Sequence, residues 1–136
     1  MNIEPGLKNE TKLTVTNELT AEASGGPRMA PVFSTPQLVR LMESTAHNAI
    51  LGMLEPSQSS VGAEISIKHM AATPVGMEVR IRAELLEVDG RRLRFRVEAW
   101  DEIEKIAEGE HERFIIDWER FMNRVEKKSQ SHNANK

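Results

Sequence analysis

The spacing of apolar residues along this chain changes from extended to helical, then back to extended, and ends helical. Residues 35–54, TPQLVRLMESTAHNAILGML, carry the clearest helical pattern. Leu38, Val39, Met42, Ala46, Ala49, Ile50 and Met53 fall on one wide stripe at about 100° per residue, with Arg40, Ser44, His47 and Asn48 opposite. Ser34 or Thr35 supplies an N-cap, Pro36 suits the first turn, and Glu55-Pro56-Ser57 ends the helix. Beyond it the period drops to two. Residues 61–71 place Ala63, Ile65, Ile67, His69 and Ala71 in one phase, and residues 77–88 do the same with Met77, Val79, Ile81, Ala83 and Leu85. Residues 91–100 place Leu93, Phe95, Val97 and Ala99 inward. Asp89-Gly90 between these last two is a hairpin signal, and Asp101-Glu102 is a weaker turn. Residues 104–116 form a last strand with Glu108, Glu110 and Glu112 in the solvent phase.

At the N-terminal side, KLTVTNELTA predicts a strand over 12–21 with Leu13, Val15 and Leu19 inward. The glycines and prolines of SGGPRMAP mark a loop at 24–31. At the other end, DWERFMNRVEKK predicts a short helix. Asp117 caps it, and Trp118, Phe121, Met122 and Val125 fall at i, i+3, i+4 and i+7. The order is strand, helix, then four strands in a meander, then the short helix. Each strand has one apolar face and the long helix has a matching stripe, so an α+β fold with a sheet wrapped around one helix is expected. So thin a layering predicts a homodimer with two-fold symmetry. One domain spans 1–128, and 129–136 is a polar tail that frays.

Composition narrows the function classes. The 136 residues are 39% hydrophobic and 29% charged, as in an ordinary soluble domain. Eighteen basic against 21 acidic residues leave a net charge of −3 and no basic block, which argues against a general nucleic-acid partner. The absence of cysteine excludes disulfides, thiolate metal sites and a cysteine nucleophile. No apolar run approaches the ~20 residues of a membrane span, and MNIEPGLKNE has no apolar secretory core. A cytoplasmic protein with no membrane partner is the expectation. Among the four histidines, His47 alone has a helical i,i+4 carboxylate partner, Glu43. No HExxH motif exists, so no metal is expected. The seven methionines read as packing.

Polar residues on buried phases carry the chemistry. His69 shares a phase with Ile65 and Ile67; it is a satisfied core histidine or a general base. Glu43 lies at the edge of the helical stripe, either as a boundary carboxylate beside His47 or as a desolvated base near the sheet. Thr35 stands at the helix start, as a cap or as a hydroxyl beside the free N–H groups and positive dipole end that suit an oxyanion. His111 and Arg113 fall opposite the three glutamates of their strand. Arg113 is a paired strand-end cation or an anion contact. Gly62 ends a loop, or forms a bulge that lets a backbone N–H approach a ligand.

Taken together, these segments resemble a known family. VFSTPQLVRLMESTAHNAI at 32–50, SVGAEISIKHMAATPVGMEVRIRAELLEVDGRRLRFRV at 60–97 and GEHERFIID at 109–117 resemble the fluoroacetyl-CoA thioesterase family, whose fold is the hotdog. HMAATP and GEHER are its more specific stretches. The resemblance implies that the family's catalytic threonine, glutamate and histidine fall on Thr35, Glu43 and His69, and its substrate-contacting glycine and arginine on Gly62 and Arg113. The fluoroacetyl-specific member bears an aromatic lid between the first strand and the helix. Here that stretch, NELTAEASGGPRMAPVF, has no aromatic before Phe33.

The implied function is hydrolysis of a small acyl-CoA to the carboxylic acid and CoA, with no cofactor beyond the CoA of the substrate. Thr35 would be the nucleophile or hold a water. His69 would act as general base and then acid. Glu43 would orient His69 or activate water, and N–H groups near Gly62 or the helix start would hold the oxyanion. Arg113 would contact the acyl group, and rim cations would hold the CoA phosphates. Two other readings share the fold: an acyl-CoA hydratase or dehydratase, which also uses a histidine and a carboxylate, and a non-catalytic acyl-CoA binding module.

Overall fold

The computed structural model describes residues 2–135. Its elements are β1 (Lys8–Thr14), a 3-10 turn at Asn17–Leu19, α1 (Ala21–Gly25), α2 (Thr35–Leu51), β2 (Gln58–His69), β3 (Glu78–Asp89), β4 (Arg92–Trp100), β5 (Lys105–Asp117) and α3 (Trp118–Ala134). The strands form one antiparallel sheet in the order β1-β3-β4-β5-β2, with α2 against one face.

The helix starts where its cap residues dictate. Ser34 Oγ accepts the Gln37 N–H at 3.2 Å, and Pro36 occupies the first turn. It ends at Leu51, earlier than residue 54, because Gly52 follows. Leu38, Met42, Ala46 and Ile50 recur every fourth residue and are fully buried. They join one core with Val79, Ile81, Ala83 and Leu85 of β3 and Leu93, Phe95, Val97 and Ala99 of β4. Burying a side chain of Leu, Ile or Phe size contributes about 1.5–3 kcal/mol, so this sandwich dominates the fold.

Several elements differ from the periodicity. Val39, Ala49 and Met53 of the expected stripe are only half-buried, and Thr45 is fully buried instead. The first strand lies at Lys8–Thr14, not 12–21. Its inward positions are Asn9, Thr11 and Leu13, and two of these are polar, so no apolar alternation marked it. They are satisfied by α2: Asn9 Nδ2 donates to the Thr45 carbonyl at 3.2 Å, and the Thr11 and Thr45 hydroxyls lie 2.7 Å apart. Residues 17–25 turn and coil, and the Thr20 hydroxyl accepts the Ala23 N–H to cap α1.

The meander holds for β3, β4 and β5 only. β2 pairs with β5 and lies at the far edge of the sheet from β1. A bulge between Gly62 and Glu64 inserts one residue, so Ala63, expected inward, is exposed, and Gly62 pairs with Arg113. The Asp89-Gly90 hairpin forms as expected, with Gly90 at φ 61°. In the Asp101 turn, the carboxylate accepts N–H groups from Ile103 and Glu104 and the Thr73 hydroxyl. Residues 129–134, expected as a frayed tail, continue α3, since the segment holds no Gly or Pro.

The outer face of the sheet is a lattice of opposite charges. Arg82 and Lys105 bond Glu98 at 3.1 and 2.8 Å, Arg94 bonds Glu110 at 2.6 Å, and Arg92 bonds Glu112. Arg80 and Arg82 stack over Trp100 at 4.6 and 5.0 Å.

Gly109 lets β2 come up against β5. A Cβ there would collide with the Ser66 carbonyl oxygen and lie 2.7 Å from Ile67 Cα. Both are backbone atoms with little freedom to move. Gly109→Ala should therefore lower stability by about 1–3 kcal/mol, read as a lower urea midpoint. An unchanged midpoint would show that the strands can part there at no cost.

Candidate active site

Two groups of polar side chains lie along α2 and β2. The first is at the helix start. Thr35 Oγ1 lies 2.7 Å from His69 Nδ1, joining the first residue of α2 to the last of β2. His69 Nε2 is buried without a hydrogen-bond partner among the described residues. Burial holds the His69 pKa below its ordinary value near 6.5, with the Ala71 backbone acting the other way. The ring is therefore neutral at pH 7, and its Nδ1 can accept the Thr35 proton.

The same turn offers one backbone donor. Pro36 has no N–H, the Gln37 N–H goes to Ser34 Oγ and the Leu38 N–H to the Ser34 carbonyl. The Thr35 N–H is left unpaired among the described residues. A cavity of about 250 Å³ opens here, walled by Ala21, Val32, Phe33, Met70 and Ala71 beside Thr35 and His69.

The second group gathers around Gly62. A Cβ at Gly62 would lie 2.6 Å from Glu43 Oε1 and 3.3 Å from both Arg113 Nη1 and His111 Cε1. Glycine thus leaves a small space bounded by a carboxylate, a guanidinium and an imidazole. Arg113 is buried and fully directed. Its Nε donates to Ser60 Oγ at 2.8 Å, Nη2 to the Ser60 carbonyl at 3.0 Å and Nη1 to His111 Nε2 at 3.2 Å. His111 Nδ1 donates to the Glu64 carbonyl at 2.8 Å, which fixes the tautomer and leaves Nε2 as acceptor. His47 Nδ1 lies 2.7 Å from Ser60 Oγ and closes the chain of contacts.

The electrostatics agree with this arrangement. Burial pulls the His111 pKa down, and Arg113 adds to that; Glu64 and Glu43 act the other way. Burial and then Arg113 lower His47. Burial also lowers Arg113, and Glu43 opposes it. The buried Arg113 cation therefore has two imidazoles held below their ordinary pKa and one carboxylate around it.

The structure therefore brings Thr35 to His69, and Glu43 to Gly62 and Arg113. Within one chain it does not bring Glu43 into hydrogen-bond contact with His69. Eight residues of helix, roughly 12 Å, separate Thr35 from Glu43. Ser60 and His47 were missed by the sequence reading. His47 was placed on the solvent side, and Ser60 lies before the bulge that resets the phase of β2. Among the described residues, no three His, Asp or Glu side chains cluster as metal ligands, and no helix is long and apolar enough to cross a membrane.

The fluoroacetyl-CoA-specific thioesterase family model matches residues 15–119. The chain belongs to that family. It is 44% identical over 98 residues to the fluoroacetyl-CoA thioesterase of Streptantibioticus cattleyicolor, covering 72% of this chain and 70% of that one. A solved fluoroacetyl-CoA thioesterase superposes with a TM-score of 0.88 at 34% identity, covering 94% of this chain and 98% of the other. Related structures hold fluoroacetate with CoA, or acetyl-CoA. A thioesterase superfamily member from Thermus thermophilus superposes with a TM-score of 0.91 at 28% identity, covering 98% of each chain. The sheet-around-helix architecture is thus the hotdog fold of these thioesterases.

The three lowered histidines make stability depend on pH in a defined direction. His47, His69 and His111 bind protons more weakly folded than unfolded. Their contribution is complete above about pH 6.5 and is lost as the pH falls below it. Thermal midpoints measured from pH 8 to pH 5 should drop on the acid side, and His111→Gln should make that drop shallower. Equal slopes would mean that His111 is not held neutral by the fold.

Proposed function

We propose that this protein is a thioesterase that hydrolyses a small acyl-CoA, with Thr35 as nucleophile and His69 as general base. The observation that carries the reading is the 2.7 Å contact between Thr35 Oγ1 and His69 Nδ1 at the start of α2. His69 takes the Thr35 proton as the hydroxyl oxygen attacks the thioester carbonyl. The Thr35 N–H supports the oxyanion, where one such donor is worth about 3–4 kcal/mol. Protonated His69 then gives its proton to the departing CoA sulfur. A water, deprotonated by His69, releases the acid from Thr35. The cavity walls of Ala21, Val32 and Met70 suit a short acyl chain. No aromatic precedes Phe33 in that wall segment, so the reading is of a small acyl group rather than of a fluorinated one in particular.

The working form in this reading is a homodimer. β2 is an edge strand of 12 residues, paired with β5 on one side only. An unpaired edge of that length is a template for a second copy. Antiparallel pairing of two β2 strands about a two-fold axis sets the Gly62 end of one beside the His69 end of the other. The site then joins Thr35 and His69 of one protomer to Glu43, Gly62 and Arg113 of its partner. Glu43 supplies the carboxylate that steadies protonated His69, and Arg113 faces the acyl carbonyl or carboxylate product.

Thiol release from a panel of short acyl-CoAs, including acetyl- and fluoroacetyl-CoA, tests the chemistry. His69→Ala should lose at least about 100-fold in kcat while its melting curve stays cooperative; an unchanged kcat removes the role. Rapid-quench mass spectrometry should show an acyl group on Thr35; its absence during turnover makes water the nucleophile. Mixing inactive Thr35→Ala and Glu43→Gln protomers should restore about a quarter of the wild-type activity, because each mixed dimer regains one intact site. No recovery on mixing, with subunit exchange shown by mass spectrometry, would remove Glu43 of the partner from the site.

A further inference from the structure

Arg113 is a buried cation, 7% exposed, that forms no ion pair among the described residues. Its direction therefore rests on hydrogen bonds. A guanidinium carries five N–H donors in one plane and no acceptor. On Arg113 the Nε and Nη2 donors go to the hydroxyl and carbonyl of Ser60, and Nη1 goes to His111 Nε2. Nη1 also lies 3.3 Å from where a Cβ of Gly62 would stand, so that tip of the fork borders the space the glycine leaves.

The Ser60 hydroxyl has a second partner, and its direction can be worked out. Because Arg113 Nε can only donate, Ser60 Oγ must accept from it. The hydroxyl proton is left over, and His47 Nδ1 at 2.7 Å is the one other partner of Oγ among the described residues. Were His47 the donor, the proton of a buried hydroxyl would have no acceptor, which is costly away from water. Burial and the nearby Arg113 also favour the neutral ring. Ser60 thus donates to a bare His47 Nδ1, and the ring proton sits on Nε2. The hydrogen bonds run one way, from Arg113 to Ser60 to His47.

His47 stands one helical turn beyond Glu43 on α2. Its bond to Ser60 ties the helix that bears Glu43 to the fork of Arg113 on β5. Resting on the thioesterase reading, we propose that His47 is a positioning residue that acts through the Ser60 hydroxyl to set the angle at which Arg113 meets the acyl group. Without an acceptor at position 47 the hydroxyl turns to satisfy its proton elsewhere. The guanidinium then keeps its bond to the Ser60 carbonyl and pivots about it, which carries Nη1 away from the Gly62 space.

A double-mutant cycle on the full chain tests this, with an acyl-CoA that the wild type hydrolyses. His47→Leu should lower kcat/KM about tenfold, whereas His47→Asn, whose Oδ1 takes the place of Nδ1, should stay within about twofold of the wild type. Adding His47→Leu to Ser60→Ala should cost nothing beyond Ser60→Ala alone, since the effect passes through that hydroxyl. Losses that multiply, or equal losses in the Leu and Asn variants, overturn the assignment. Heteronuclear NMR of the side-chain nitrogens needs no turnover and so separates this inference from the thioesterase reading. In the wild type the neutral His47 ring should carry its proton on Nε2, a result that depends on no variant folding. The Arg113 Nε–H should exchange with solvent about tenfold faster in His47→Leu than in the wild type. A proton on His47 Nδ1, or unchanged exchange in His47→Leu, removes His47 from the positioning of Arg113 whether or not a thioester is hydrolysed.

Discussion

One helix has to cover a five-stranded sheet, and most of this molecule follows from the fact that it cannot. α2 buries Leu38, Met42, Ala46 and Ile50 against β3 and β4 and leaves β2 without a fully buried apolar side chain. Ile65 and Ile67 are only partly covered. Side chains on that strand are neither sealed in the core nor freely solvated. Such a border is where a histidine can be desolvated enough to stay neutral and still be reached by a substrate. The polar groups of the candidate site sit there, on β2, on the facing side of α2 and on the neighbouring strand β5.

Burial alone does not explain how the polar groups on this border stay ordered. Arg113 has three directed hydrogen bonds and His111 has a fixed tautomer because Glu64 holds one ring nitrogen. Ser60 offers both its hydroxyl and its carbonyl to the same guanidinium, so the side chain of Arg113 is held at two points along one plane. A site built this way is set before any ligand arrives, which limits the reorganisation needed during the reaction.

Legibility followed the rule that apolar periodicity reports only apolar packing. α2, β3 and β4 are legible with nearly their true bounds because their inward residues are apolar, with Thr45 of α2 the exception. β1 lies outside the apolar alternation because Asn9 and Thr11 face inward, and in β2 the alternation gives Ile65, Ile67 and His69 their true side and errs only at Ala63, the residue inserted at the bulge. Thr35 and His69 could be named from the sequence, since a helix start and an inward histidine are local signals. The His47–Ser60–Arg113–His111 chain could not. Its members come from α2, β2 and β5, and only the pairing of β2 with β5, skipping two strands, makes them neighbours.

The polar seam between β1 and α2 has a consequence for a different part of the molecule. Apolar contacts tolerate rotation of a helix about its axis, whereas hydrogen bonds do not. Thr45 is bonded through its hydroxyl to Thr11 and through its carbonyl to Asn9. That pins one side of α2 to the β1 edge of the sheet. Glu43 and His47 stand two residues before and after Thr45, which in a helix is close to the opposite side. The N-terminal strand thus works as an alignment key. By holding Thr45 at one edge of the sheet it aims a carboxylate and an imidazole at the other, across the full width of the fold.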